Sequence, residues 1–227
     1  MANAREILSR MKSVQDTRKI TNAMYLISST KLKKSKKLLE ETEPYFYSLQ
    51  DLIRRILRHM PDVEHFYFNP RSEIKGADRT KGLIVITGDK GLAGAYNHNV
   101  LKMAQEWMEQ GDNHRLYVVG ELGRHYFASK HIPVEEQFHY TVQNPTMHRA
   151  RLISSTVLED YEQGQLDEVW ILYTQMINSM KMEAEIVQLL PLKREDFSNI
   201  VIPPDIIQEE IQMVPSPSAV MDNVVPN

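Results

Sequence analysis

The chain has 227 residues, of which 42% are hydrophobic and 25% charged, an ordinary balance for a globular protein. It contains no Cys, which excludes disulfide frameworks, thiolate metal sites and cysteine nucleophiles. No apolar run approaches the ~20 residues that span a bilayer, and the N-terminus lacks a signal-peptide core, so a soluble, cytosol-facing protein is expected. The net charge of −3 conceals a segregation: residues 1–40 carry ten basic and three acidic groups, a net +7, which leaves −10 for the rest. A basic segment on an acidic body suits an acidic partner or surface.

From about Ala4 to His59 there is no Gly, and the single Pro is Pro44. Ile7, Met11, Val14, Ile20, Met24 and Ile27 recur at three- and four-residue spacings with a gap at Thr17, and a second stripe runs from Leu38 to Leu57. This spacing predicts one long helix near a coiled-coil seam, kinked rather than ended by Pro44. The seam is thin and interrupted by Ser13, Thr17, Thr21, Ser28, Ser29 and Thr30, so such a helix must pack on something. The run Lys31-Leu-Lys-Lys-Ser-Lys-Lys37 admits three readings: a solvated face, a nucleic-acid contact, or a dock for acidic protein surfaces. Absence of interleaved aromatics and a pI near 6.3 argue against nucleic acid. Composition does not choose between the other two.

A turn-rich linker (Asn69 to Ser72, Lys75 to Asp78) leads to Lys81-Gly-Leu-Ile-Val-Ile-Thr87, a buried-strand pattern. A glycine loop, Gly88 to Gly94, precedes an expected helix over 96–110. Strands are expected over 115–119, 134–142, 168–174 and 184–190, and helices over 123–130 and 146–163. Alternation of this kind predicts an α/β domain with a mostly parallel sheet.

Gly88, Gly91 and Gly94 give G-x-x-G-x-x-G, which matches neither the dinucleotide fingerprint G-x-G-x-x-G nor a Walker A loop, since Lys90 precedes its Gly and Leu92 and Ala93 follow. The loop reads as a tight strand-to-helix turn. The eight His residues fall in no metal-ligand spacing, no G-x-S-x-G elbow occurs, and Glu135-Glu136, if on a strand, point to opposite faces. No catalytic constellation, cofactor or metal site is expected.

The stretch Ile7-Leu-Ser-Arg-Met-Lys-Ser-Val-Gln-Asp-Thr-Arg-Lys-Ile-Thr-Asn-Ala-Met24 closely resembles the N-terminal helix of the γ subunit of F-type ATP synthases. Thr87-Gly-Asp-Lys-Gly-Leu-Ala-Gly-Ala-Tyr-Asn97 is similar to that family's S-D-R-G-L-C-G-G-L-N segment, with Ala93 at the usual Cys. Leu166 to Thr174 and Ile186 to Pro191 match its later strands, in family order.

The resemblance implies a coiled-coil shaft attached to a Rossmann-like α/β domain: a long helix over 1–60, a globular domain over 76–200, and over 201–227 a linker and the start of a truncated C-terminal helix, capped by Ser216 or Ser218. It implies a non-catalytic rotor, coupling ion-driven ring rotation to ATP synthesis or hydrolysis. Its implied partners are the α and β subunits, the ε subunit and the membrane c-ring, without nucleic acid or membrane insertion, at the cytoplasmic face of the membrane. Lys19, Ile20, Met24, Lys31 and Lys33 are the implied ring-facing positions. At 211–214, Ile-Gln-Met-Val replaces the family's aromatic and Glu, so no c-ring contact is carried over. The competing readings are a nucleotide-binding α/β enzyme with a coiled-coil arm and a basic coiled-coil adaptor.

Overall fold

The structure, a computed structural model, describes residues 4–60, 62–111, 113–178, 180–198, 213, 214 and 216–226. The described residues divide into two compact units, residues 4–51 and those from 52 onward. Within the first, the described residues form one element, the greater part of helix α1 (Ala4–His59). Fifty-six residues at 1.5 Å each make this helix about 84 Å long. It continues through Pro44. Five of its hydroxyls are satisfied within the helix: Thr17, Thr21, Thr30, Thr42 and Ser48 each donate to the carbonyl four residues earlier.

The second unit is built on a four-stranded sheet of β1 (Lys81–Ile86), β2 (His114–Val119), β3 (Glu168–Met176) and β4 (Met182–Leu190), in the order β2-β1-β3-β4. β1 is parallel to both β2 and β3, with Ile84 opposite Tyr117 and Ile171. β4 runs antiparallel to β3, because the loop of 177–181 is too short for a crossover and can make only a hairpin.

Alternation along the strands sends side chains to two cores. Leu83, Val85, Leu116, Val118 and Leu172 pack with Val100, Leu101 and Ala104 of α2 (Tyr96–Met108) and Phe127 of α3 (Glu121–Ser129). Ile84, Tyr117, Val119 and Val169 pack with Val157 and Tyr161 of α4 (Met147–Glu162). With both faces covered, the strands can be apolar throughout. Thr146 caps α4 by accepting from the Arg149 amide. Two short helices follow, α5 (Arg194–Ser198) and α6 (Pro217–Val224). Ser216, not Ser218, caps α6, accepting from the Ala219 amide.

The strand expected over 134–142 does not form. Tyr140 bridges to β2 at Val119 and the Glu135 amide donates to the Leu116 carbonyl at 2.8 Å, with no ladder between them. Turns at Glu135–Phe138 and Gln137–His139 break the ladder and bury Phe138 edge-on against Tyr117 at 5.3 Å. Glu135 instead pairs with Arg115 at 2.8 Å.

The linker is less loose than its turn residues suggest. Arg71 donates to the carbonyls of Leu166 (2.6 Å) and Tyr161 (2.7 Å) and to Asp167 (3.0 Å), with its guanidinium 4.4 Å from the Tyr161 ring centroid. Arg79 pairs with Glu168 at 3.0 Å.

Candidate partner-binding surface and glycine loop

The five implied positions on α1 are all exposed. Ile20 is 63% and Met24 46% exposed, and Ile7, Met11, Val14 and Ile27 are open to a similar degree. At about 100° per residue, Ile20, Met24, Ile27 and Lys31 share one face, Lys19 lies about a quarter turn away, and Lys33 points to the other side. The helix therefore unites three of the five positions. Lys19 meets Asp16 at 3.1 Å and Lys37 meets Glu41 at 3.7 Å. Among the described residues, Lys31, Lys33, Lys34 and Lys36 have no carboxylate partner. These lysines occupy widely separated directions around the axis, so the helix is positive on every side over one and a half turns.

Ser13, Val14, Thr17, Arg18, Thr21, Asn22 and Tyr25 line a shallow groove along the same helix. Of its lining hydroxyls, those of Thr17 and Thr21 are turned back into the helix, donating to the carbonyls of Ser13 and Thr17. An apolar neighbour over these two threonines would strand neither hydroxyl proton.

The glycine loop closes on itself. The Gly88 amide donates to Asn97 Oδ1 at 2.7 Å, and Asp89 Oδ1 accepts from the amides of Glu121 and Val142 at 3.3 Å each. A carboxylate therefore holds the N-terminus of α3, and its negative charge disfavours phosphate in this loop. Of the three predicted glycines only Gly94 needs its freedom, with φ at +57°; Gly91 has open space around it. Leu92 also takes positive φ, at 64°, and stands 93% exposed.

The glycines that set the packing are Gly120 and Gly123, which sequence reasoning did not single out. A Cβ on Gly120, where φ is +100°, would lie 2.2 Å from the Thr87 carbonyl oxygen, and one on Gly123 would lie 2.6 Å from Thr87 Oγ1. Thr87 Oγ1 donates to the Val119 carbonyl and accepts from the Gly123 amide at 3.0 Å, so the hydroxyl stitches the ends of β1 and β2 to α3. A signal was present in Val118-Val-Gly-Glu-Leu-Gly123, a strand-to-helix junction with glycine at both contact points.

Buried phenols flank the α4 side. Tyr117 donates to Asp160 at 2.5 Å and Tyr67 to Glu162 at 2.9 Å. Burial first, and then these carboxylate bonds, push both hydroxyls well above the usual tyrosine range. Among the described residues no cluster of three or more His, Asp or Glu could hold a metal ion, and no helix is long and apolar enough to cross a membrane.

The chain matches the ATP synthase family over residues 3–227. It is 42% identical to the ATP synthase gamma chain of Ruminiclostridium cellulolyticum, over 99% of this chain and 76% of that one. With the gamma chain of Caldanaerobacter subterraneus subsp. tengcongensis it shares 40% identity, over 98% and 77% of the two chains. The sodium ion specific gamma chain of Acetobacterium woodii is 35% identical, over 86% and 63%. In fold it resembles a chain of the Tetrahymena thermophila mitochondrial ATP synthase central stalk and c-ring structure, at 15% identity and a TM-score of 0.50, over 83% and 86%. The long basic helix, the α/β domain and the sequence of both agree, and the chain belongs to the ATP synthase gamma-chain family.

Proposed function

We propose that this chain is the non-catalytic central shaft of an F-type ATP synthase, with α1 inside the ring of α and β subunits and the α/β domain facing the ε subunit and the membrane c-ring. The carrying observation is the surface of α1, which leaves Ile7, Met11, Val14, Ile20, Met24 and Ile27 about half or more exposed over its first turns. A helix of this length with that much bare apolar surface needs a sheath. Lys19, Ile20, Met24, Lys31 and Lys33 are the ring-facing positions, the apolar pair bearing on apolar collar residues and the lysines on acidic loops of β.

A shaft that presents different side chains in different directions gives each β site a different set of contacts. Rotation then biases the three sites in turn among states of different nucleotide affinity. No bond chemistry falls to the shaft. The coupling ion is selected in the membrane ring, so the mechanism is the same for protons or sodium, and the assembly sits at the cytoplasmic face of the membrane through its ring.

Co-expression with α and β subunits and purification on a β tag tests this. The full chain is expected to co-purify at a fixed ratio to the ring. Ile20→Asp with Met24→Asp is expected to lower assembly or ATP hydrolysis at least tenfold, the cost of burying carboxylates in an apolar collar. A chain that elutes alone, or that hydrolyses ATP without α and β, would overturn the reading.

A further inference from the structure

Residues 63–68 touch α4, α5 and α6, and Met60 at the end of α1. The Val63 amide donates to the Met60 carbonyl and the Met60 amide to that of Ile56, continuing the hydrogen bonding of the end of α1. The Tyr67 hydroxyl donates to Glu162 on α4 at 2.9 Å, and the Leu192 amide donates to the Tyr67 carbonyl at 2.7 Å. Arg194 donates to the Val63 carbonyl and lies 5.3 Å from the Phe68 ring centroid, and Phe68 meets Phe197 edge-on at 6.2 Å. His65 reaches α6, its Nε2 lying 2.9 Å from Asp222 Oδ1.

Both nitrogens of that imidazole are committed. The Tyr67 amide donates to Nδ1 at 3.3 Å, which places the ring proton on Nε2 and aims it at the carboxylate. The ring stacks on Phe66 and Tyr67, with centroids at 4.8 and 5.1 Å, and its side chain is 2% exposed. A donor fixed this firmly, bonded to a carboxylate acceptor, is a stiff connection. α6 has eight residues, far too few to be stable alone, and holds its place by burying Met221 and Val224 and by this bond.

We infer that residues 63–68 are a mechanical coupler between the α/β domain and α6, with His65–Asp222 as its closing bond, so that torque applied to the domain enters α6 as well as α1. His65 and Asp222 are positioning residues in this role, which rests on the shaft reading above.

The test uses Asp222→Ala and the conservative Asp222→Asn in the full chain. Asp222 is 56% exposed, so either side chain fits in its place, and Ala removes only the acceptor of the buried His65 Nε2 proton. Hydrogen exchange in α6 is expected to accelerate about tenfold in D222A while β1 is unchanged, and D222N, which keeps an acceptor, is expected to recover most of the protection. In the complex with α, β and the membrane sector, D222A is expected to retain ATP hydrolysis but lower ATP-driven ion pumping per ATP several-fold, with D222N restoring it. Unchanged exchange in D222A overturns the clasp, and faster exchange with an unaltered pumping ratio overturns the torque role. A wild-type chain that fails to assemble overturns the shaft reading and the torque role together, and exchange still decides whether the clasp holds α6.

Discussion

At the residue scale, the tightest constraint lies where α3 meets the end of β1. Gly120→Ala would bring a methyl to 2.2 Å from the Thr87 carbonyl oxygen in a conformation that L residues rarely adopt. It is expected to lower stability by about 3 kcal/mol, read as a fall in the urea midpoint. Gly91→Ala, with open space and no positive φ, is expected to stay within ~0.5 kcal/mol. Tyr117 supplies a pH signature. Its folded hydroxyl is held above the ordinary value of about 10, first by burial and then by its bond to Asp160. The stabilisation is fully present below pH ~10 and lost as pH rises above it, because the unfolded chain then releases its proton first. The urea midpoint is expected to fall as pH rises from about 10 to 12, and Tyr117→Phe to reduce that fall. Tyr67, Tyr161 and Tyr173, shifted the same way, keep the remainder.

At the element scale, α1 carries one internal flaw. Pro44 sits on an exposed face deep within the helix, where its ring removes a hydrogen bond and crowds the preceding turn. Pro44→Ala is expected to stabilise the helix locally by up to ~3 kcal/mol, seen as slower exchange over 40–50. The helix itself was legible in the sequence, since absence of Gly and a three-four apolar spacing are local signals. The 134–142 strand was misread for the opposite reason. Its apolar residues suggested a ladder, but the demand to bury Phe138 against Tyr117 broke the pairing, and no local pattern carries that demand.

At the scale of the whole molecule, charged side chains fasten the linker to the sheet domain. Arg71→Met would strand Asp167, 8% exposed at its side chain, and two carbonyls. It is expected to cost about 3 kcal/mol in the domain's denaturant unfolding while leaving the helical signal of residues 4–51 in place. Arg71 itself adopts φ of +46°, an uncommon conformation held by its four contacts. In the sequence it stood in an unremarkable Asn-Pro-Arg-Ser turn.

By itself the sequence determined the long helix, the alternation of strands and helices, the phosphate-unfriendly glycine spacing and the family, because each rests on neighbours in the chain or on the order of motifs. Only the tertiary structure decided the strand order, the β3–β4 hairpin, the choice of Gly120 and Gly123 over Gly88 and Gly91 as packing points, and the meeting of His65 with Asp222 across 157 positions. Those are contacts between residues far apart in the chain, and whether two distant groups meet depends on how every layer between them packs.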